Sequence, residues 1–206
     1  MSALALRGER GELARLYGLS CRTTLFLALP AAAGLVLLAQ PVITLLFERG
    51  AFTGADTAYT ARVLLCLAPA LPFVCLGQVA ARLHYALDDR RTPVRIGVQV
   101  VLLNLALNLL LVGPLGVPGL ALATTLTALV QALRLHLRGG RLGLPRGGRR
   151  LAPALARFLP LTGLMAGTVW GLSLLGREAG WGAPARVGVP LLAGALLYLG
   201  AARLFR

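Results

Sequence analysis

The chain contains no lysine, and only seven of its 206 residues are acidic. Charged residues make up 14% of it, against about a quarter in ordinary soluble domains. So few charges exclude a water-soluble globule with an ordinary surface. The acids are also badly placed for catalysis. Glu9, Glu12, Glu48, Asp56, Asp88, Asp89 and Glu178 fall in predicted loops or at helix ends, and His84 and His136 lie near span ends. No carboxylate pair, His–acid pair or metal-ligand spacing falls inside an apolar run, so an enzyme is not expected. Cysteine is scarce as well. Cys21, Cys66 and Cys75 form no metal or disulfide framework. Cys66 and Cys75 would stand about 13 Å apart along one helix, too far to pair. Alternating apolar and polar residues are missing, which excludes an outer-membrane barrel.

What is present is hydrocarbon. Hydrophobic residues make up 57% of the chain, in continuous runs. The longest, Ile96–Leu133, carries no charge and is broken only by Gly113-Pro114-Leu115-Gly116-Val117-Pro118-Gly119. Two helices of roughly 17–20 residues joined by that turn would cross a ~30 Å hydrocarbon layer twice. The fold class is therefore all-α: a polytopic membrane protein with six transmembrane helices.

In chain order, residues 1–22 read as an amphipathic helix on the cytoplasmic interface. No cleavable leader is expected, because the apolar run that follows is long enough to span. Spans are expected near 23–47, 56–87, 93–112 and 118–137. A cytoplasmic Arg/Gly loop covers 138–153, and two further spans lie near 154–175 and 185–202. Pro41 should end or kink the first span, and Pro69 and Pro72 the second. Thr53-Gly54-Ala55-Asp56 fits a capping box, while Thr92 and Pro93 read as the start of the third span.

All 21 basic residues are arginine. They sit at the ends of the apolar runs, without basic–aromatic clusters, so nucleic acid is not expected as a partner. Seventeen of the 21 fall in residues 1–22, 82–95, 134–157 and 203–206; the others are Arg49, Arg62, Arg177 and Arg186. That asymmetry predicts both termini in the cytoplasm.

The few polar residues inside the spans are the candidate site. Asn104 and Asn108 are four apart and share a helix face. An antiparallel hairpin brings Asn108 and Thr124 to similar depth, roughly 7 Å below the turn, and Asn104 near Thr127 and Ala128. Two readings stay open: interhelical hydrogen bonds that hold the hairpin, or a small-cation site of amide, hydroxyl and backbone oxygens. An uncharged oxygen set suits sodium weakly. Gly163, Gly167 and Gly171 repeat a small-xxx-small pattern that permits close helix packing. Gln78 and Arg82, four apart, could line a cavity.

Three segments resemble one family. Leu45-Leu46-Phe47-Glu48-Arg49-Gly50-Ala51-Phe52-Thr53 is similar to its L-F-x-R-G-x-F signature. Asp89-Arg90-Arg91-Thr92-Pro93-Val94-Arg95 is similar to its D-x-x-T-P-[VL]-[RK] loop. Asn108 through Gly119, with Leu120-Ala121-Leu122-Ala123-Thr124, resembles its N-L-x-L-x-x-P-L-G-x-x-G-L-A-L-A-T hairpin. The family is MurJ (also called MviN), the lipid II flippases of the multidrug/oligosaccharidyl-lipid/polysaccharide exporter superfamily. The resemblance implies the last six of about fourteen helices. Residues 23–137 would then be four helices of the second lobe, and the last two would form a groove for a lipid tail. It implies lipid II, with its polyprenyl tail, as the substrate of the complete protein in the bacterial inner membrane. The N-terminal helices that complete the two lobes would be the partner, without which flipping is not expected. Some members bind sodium at positions matching Asn104, Asn108, the Leu120 carbonyl and Thr124; Asn108 stands where a carboxylate can occur. No other cofactor or metal is implied. The alternatives are another lipid-linked oligosaccharide or drug exporter of the superfamily, and an inactive structural membrane fragment.

Overall fold

The computed structural model of the chain describes residues 10–140 and 151–204. These form eight helices: α1 Arg10–Leu37, α2 Ala39–Phe47, α3 Gly54–Leu67, α4 Ala70–Ala86, α5 Arg91–Leu115, α6 Val117–Gly139, α7 Ala152–Glu178 and α8 Ala183–Leu204. Six stretches are long and apolar enough to cross a membrane, with α3 and α4 counted as one bent span, Gly54–Ala86.

Prolines explain the breaks. Pro41 cannot donate to the carbonyl four residues back, so α1 ends at Leu37 and α2 begins at Ala39. Pro69 and Pro72 do the same between α3 and α4, where the Leu71 N–H turns to the Ala68 carbonyl at 3.2 Å. Pro114 is different. α5 continues through it to Leu115, as α1, α7 and α8 run through Pro30, Pro160 and Pro190, each leaving the carbonyl four residues back without its helical donor.

Three expected boundaries shift. The interfacial helix over 1–22 is not separate, since α1 runs unbroken through Arg22. Nothing there breaks a helix, and Leu13, Tyr17 and Cys21 lie on one fully buried stripe. Residues 1–9 lie outside the described residues, as does most of the Arg/Gly loop, 141–150. The turn of the central hairpin contracts to Gly116, at φ +64°. The third span starts early, at Arg91, and Asp89 rather than Thr92 supplies the cap: its Oδ1 accepts the Thr92 N–H at 3.1 Å.

In space the hairpin α5–α6 stands at one side of the bundle and α7–α8 at the other. α6 packs on α3, α4 and α5, and α1 bridges α4 and α7. One core cluster joins Leu13, Tyr17 and Cys21 to Leu83, Ile96 and Leu135. A second joins Leu38 to Leu161, Met165, Val169 and Tyr198. The outer surface is apolar: Leu109 and Leu196 are each 72% exposed, on helices at opposite sides. Such a surface is stable in hydrocarbon and not in water.

Candidate functional site

The hairpin is held at its turn by backbone geometry. Gly116 serves as C-cap of α5 and N-cap of α6. Its positive φ suits glycine. The Tyr59 hydroxyl on α3 accepts the Val117 N–H at 3.2 Å, satisfying one of the first donors of α6. Three residues on, Gly119 lies directly on α5. A Cβ there would stand 2.8 Å from the Leu111 carbonyl carbon. The helices can approach this closely because position 119 has no side chain.

One polar chain runs down the interface below. The Asn108 Nδ2 donates to the Asn104 Oδ1 at 3.0 Å. The Asn104 Nδ2 donates across to the Thr127 Oγ1 at 3.2 Å. The buried Thr127 hydroxyl donates within α6, with the Ala123 carbonyl at 2.9 Å and the Thr124 carbonyl at 3.0 Å. The Asn108 Oδ1 is buried with no partner. Thr124 takes no part. Its side chain is exposed and donates to the Leu120 carbonyl at 3.0 Å. Thus Asn104 and Asn108 come together, with Thr127 rather than Thr124 as their partner on α6.

The donor set can be compared with a sodium site. Hard cations take around six oxygens, commonly including carboxylates. Here the oxygens are neutral, and the Asn104, Leu120 and Thr127 oxygens already accept hydrogen bonds. Only the Asn108 Oδ1 is buried and unengaged. These residues by themselves do not fit sodium. Among the described residues no group of three His, Cys, Asp or Glu could hold a metal ion.

The other sequence candidates separate. Gln78 and Arg82 share an exposed face of α4. The glycine stripe is not a packing surface within this bundle: a Cβ at Gly163, Gly167 or Gly171 would meet nothing within 4 Å. The close approaches are made by Gly119 on Leu111, Gly176 on Trp181 and Gly194 on Val169. Spacing identifies a stripe, but the rotation of α7 turns that stripe outward.

Sequence reasoning also missed Thr125. Its hydroxyl donates to the Cys66 carbonyl, in the last turn of α3 beside the Pro69 break. Sequence offers a weak signal for it, since a helix end freed by proline needs an outside donor.

Six apolar helices, a buried neutral polar interface and lipid-compatible flanks define a multi-pass α-helical membrane protein. A family model described as "Lipid II flippase MurJ" matches residues 1–181. The chain belongs to the MurJ family. It is 33% identical over 163 residues to the "Probable lipid II flippase MurJ" of Vibrio cholerae, covering 78% of this chain and 31% of that one. It is 33% identical over 114 residues to the "Lipid II flippase MurJ" of Thermosipho africanus, covering 55% of this chain and 24% of that one. The chain therefore spans about a third or less of the length of these relatives. A solved structure titled "Lipid II flippase MurJ, inward closed conformation" superposes with a TM-score of 0.78 at 24% identity, over 99% of this chain and 41% of that one. This likeness shows the shared fold.

Proposed function

We propose that the chain is the C-terminal part of a lipid II flippase, which carries the lipid-linked peptidoglycan precursor across the bacterial inner membrane. The supporting observation is the family match over residues 1–181 on a six-span bundle. Transport, not catalysis, is its role. The cavity for the substrate's head lies between this bundle and the N-terminal helices, and alternating access arises from the two bodies rocking against one another. Lipid II enters as substrate and the N-terminal helices as partner. Both termini face the cytoplasm, because the more arginine-rich end of the bundle belongs on that side. Sodium coupling requires a carboxylate from outside this chain.

The test is complementation. In cells depleted of their own flippase, co-expression of this chain with the N-terminal helices of a relative should restore growth and outer-leaflet lipid II. Growth without outer-leaflet lipid II would point to another cargo of the superfamily. Failure of the pair, with both halves present in the membrane and associated, would refute the reading.

A further inference from the structure

Two of the four arginines at the arginine-poor end of the bundle share one cavity. Those four are Arg49, Arg62, Arg177 and Arg186. The cavity has a volume of about 440 Å³ and lies where the junction of α1 and α2 meets α3 and the end of α7. Gln40, Arg62 and Arg177 supply its polar side chains, and Ala39, Ala58 and Ala61 are among the small residues of its wall. It shares no lining residue with the apolar groove between α1, α7 and α8, where the family resemblance implies a lipid tail.

Helix geometry brings the three polar residues together from separate segments. Gln40 lies two turns before the end of α2 at Phe47, and Arg62 just over two turns after the start of α3 at Gly54. At 1.5 Å per residue, both stand roughly 10–12 Å below the turn that joins those helices. Arg177 is the last residue but one of α7. Arg62 points back toward the turn. Its Nε–H donates to the Ala58 carbonyl at 3.4 Å, and its guanidinium carbon stands 5.8 Å from the Tyr59 ring centroid. Snorkelling accounts for that direction. It does not account for a second guanidinium brought from α7 to the same cavity.

The acids at this end are engaged elsewhere. The Glu48 Oε2 accepts from the hydroxyls of Thr44 at 3.0 Å and Thr57 at 2.8 Å. The Asp56 Oδ2 accepts the Thr53 N–H at 2.9 Å and the Thr53 hydroxyl at 2.7 Å. Glu178 follows Arg177 in the chain without pairing to it, and among the described residues the ion pair is Arg90 with Asp88. Arg62 and Arg177 therefore line a common space with no carboxylate between them. Two like charges at one cavity repel, and an anion held by both replaces that repulsion with attraction.

Guanidinium groups pair with phosphate oxygens through parallel N–H donors, and a carboxamide adds neutral ones. Alanine walls leave room for a compact group. We propose that this cavity binds one phosphate-bearing anion, held by Arg62 and Arg177, with the Gln40 carboxamide donating to it. A soluble phosphate and the headgroup of an anionic lipid share that chemistry. The site needs only the bundle, so it stands whether or not the flippase reading does.

The test is arginine modification by phenylglyoxal on the purified chain in neutral detergent, read residue by residue by mass spectrometry. Inorganic phosphate, at an ionic strength matched with chloride, should slow modification of Arg62 and Arg177 about fivefold or more, and of Arg49 and Arg186 less than about twofold. Phosphatidylglycerol against phosphatidylcholine, added to the micelles, is the second arm. Protection by inorganic phosphate assigns a soluble anion, and protection by phosphatidylglycerol alone assigns a headgroup. Protection by neither, or equal protection of all four arginines, overturns the site. Acetate at the same ionic strength should not protect; protection equal to that by phosphate overturns phosphate as the ligand. In Arg62→Gln, the rate at Arg177 should return to within about twofold of its anion-free value, because a lone guanidinium holds phosphate weakly. Full protection of Arg177 in that variant overturns a shared site. The measurements on the unaltered chain need no variant.

Discussion

The Asn104 carboxamide crosses the α5–α6 interface to the Thr127 hydroxyl at 3.2 Å, whereas Asn108, one turn away, bonds only back to Asn104. The two asparagines differ in what they hold together. Asn104 ties one helix to another; Asn108 leaves its own Oδ1 buried and unpaired. Asn104→Ala should therefore cost roughly 0.5–1.5 kcal/mol, and Asn108→Ala distinctly less. Denaturant titration in mixed micelles measures both. Equal costs would mean that the interhelical bond contributes nothing.

Gly119→Ala should destabilise the chain by about 1–3 kcal/mol, because the new methyl meets the Leu111 backbone, which cannot swing aside. Gly163→Ala and Gly167→Ala open onto free space and should stay within about 0.5 kcal/mol of the parent, or gain slightly from helix propensity. Thermal melts followed by size exclusion would show the contrast. A large loss at Gly163 or Gly167 would restore the stripe as a packing surface.

Asp89 caps α5, and Asp89→Ala should cost about 1 kcal/mol near neutral pH. Burial pushes its carboxyl upward, but the hydrogen bonds from Thr92, with His84 and Arg138 nearby, outweigh this and hold it below the ordinary carboxylate value. A depressed folded-state pKa contributes stability that is fully present above the unfolded value, about 3.9, and is lost as pH falls through the folded one. Acid unfolding of Asp89→Ala should lack that step. An unchanged acid limb would show that the carboxylate is not charged-state dependent in its capping.

Orientation is open to labelling. After Cys21→Ala, Cys66→Ala and Cys75→Ala, single cysteines placed by Ala51→Cys, Ala179→Cys and Arg90→Cys report three exposed turns. An impermeant maleimide added to spheroplasts should label the first two, and Arg90→Cys only after permeabilisation. The opposite pattern would reverse the proposed topology.

The prolines show how much local chemistry could be read in advance. Pro41 and the Pro69/Pro72 pair coincide with breaks in their spans, where the missing N–H leaves a carbonyl without its helical donor. Pro30, Pro114, Pro160 and Pro190 do not: each lies inside a continuous helix, so the residue type alone does not place the breaks. The hairpin polar set was equally half legible. The i, i+4 spacing puts Asn104 and Asn108 together in any helix, and counting from the turn brings Asn104 near Thr127. Nothing in the spacing says that Thr124 would turn to its own Leu120 carbonyl, or that Thr125 would reach the Cys66 carbonyl, 59 positions away.

The sequence alone determined the number of spans, their all-α character and the segregation of arginine. Those follow from hydrocarbon thickness and the cost of charge, which act on each segment separately. The tertiary structure alone decided which face of each helix meets which neighbour. It turned Gly163, Gly167 and Gly171 outward, set Gly119 on Leu111, and brought Arg62 and Arg177 to one cavity. Helix rotation and tilt arise from packing among all the spans at once, and no single segment carries that information.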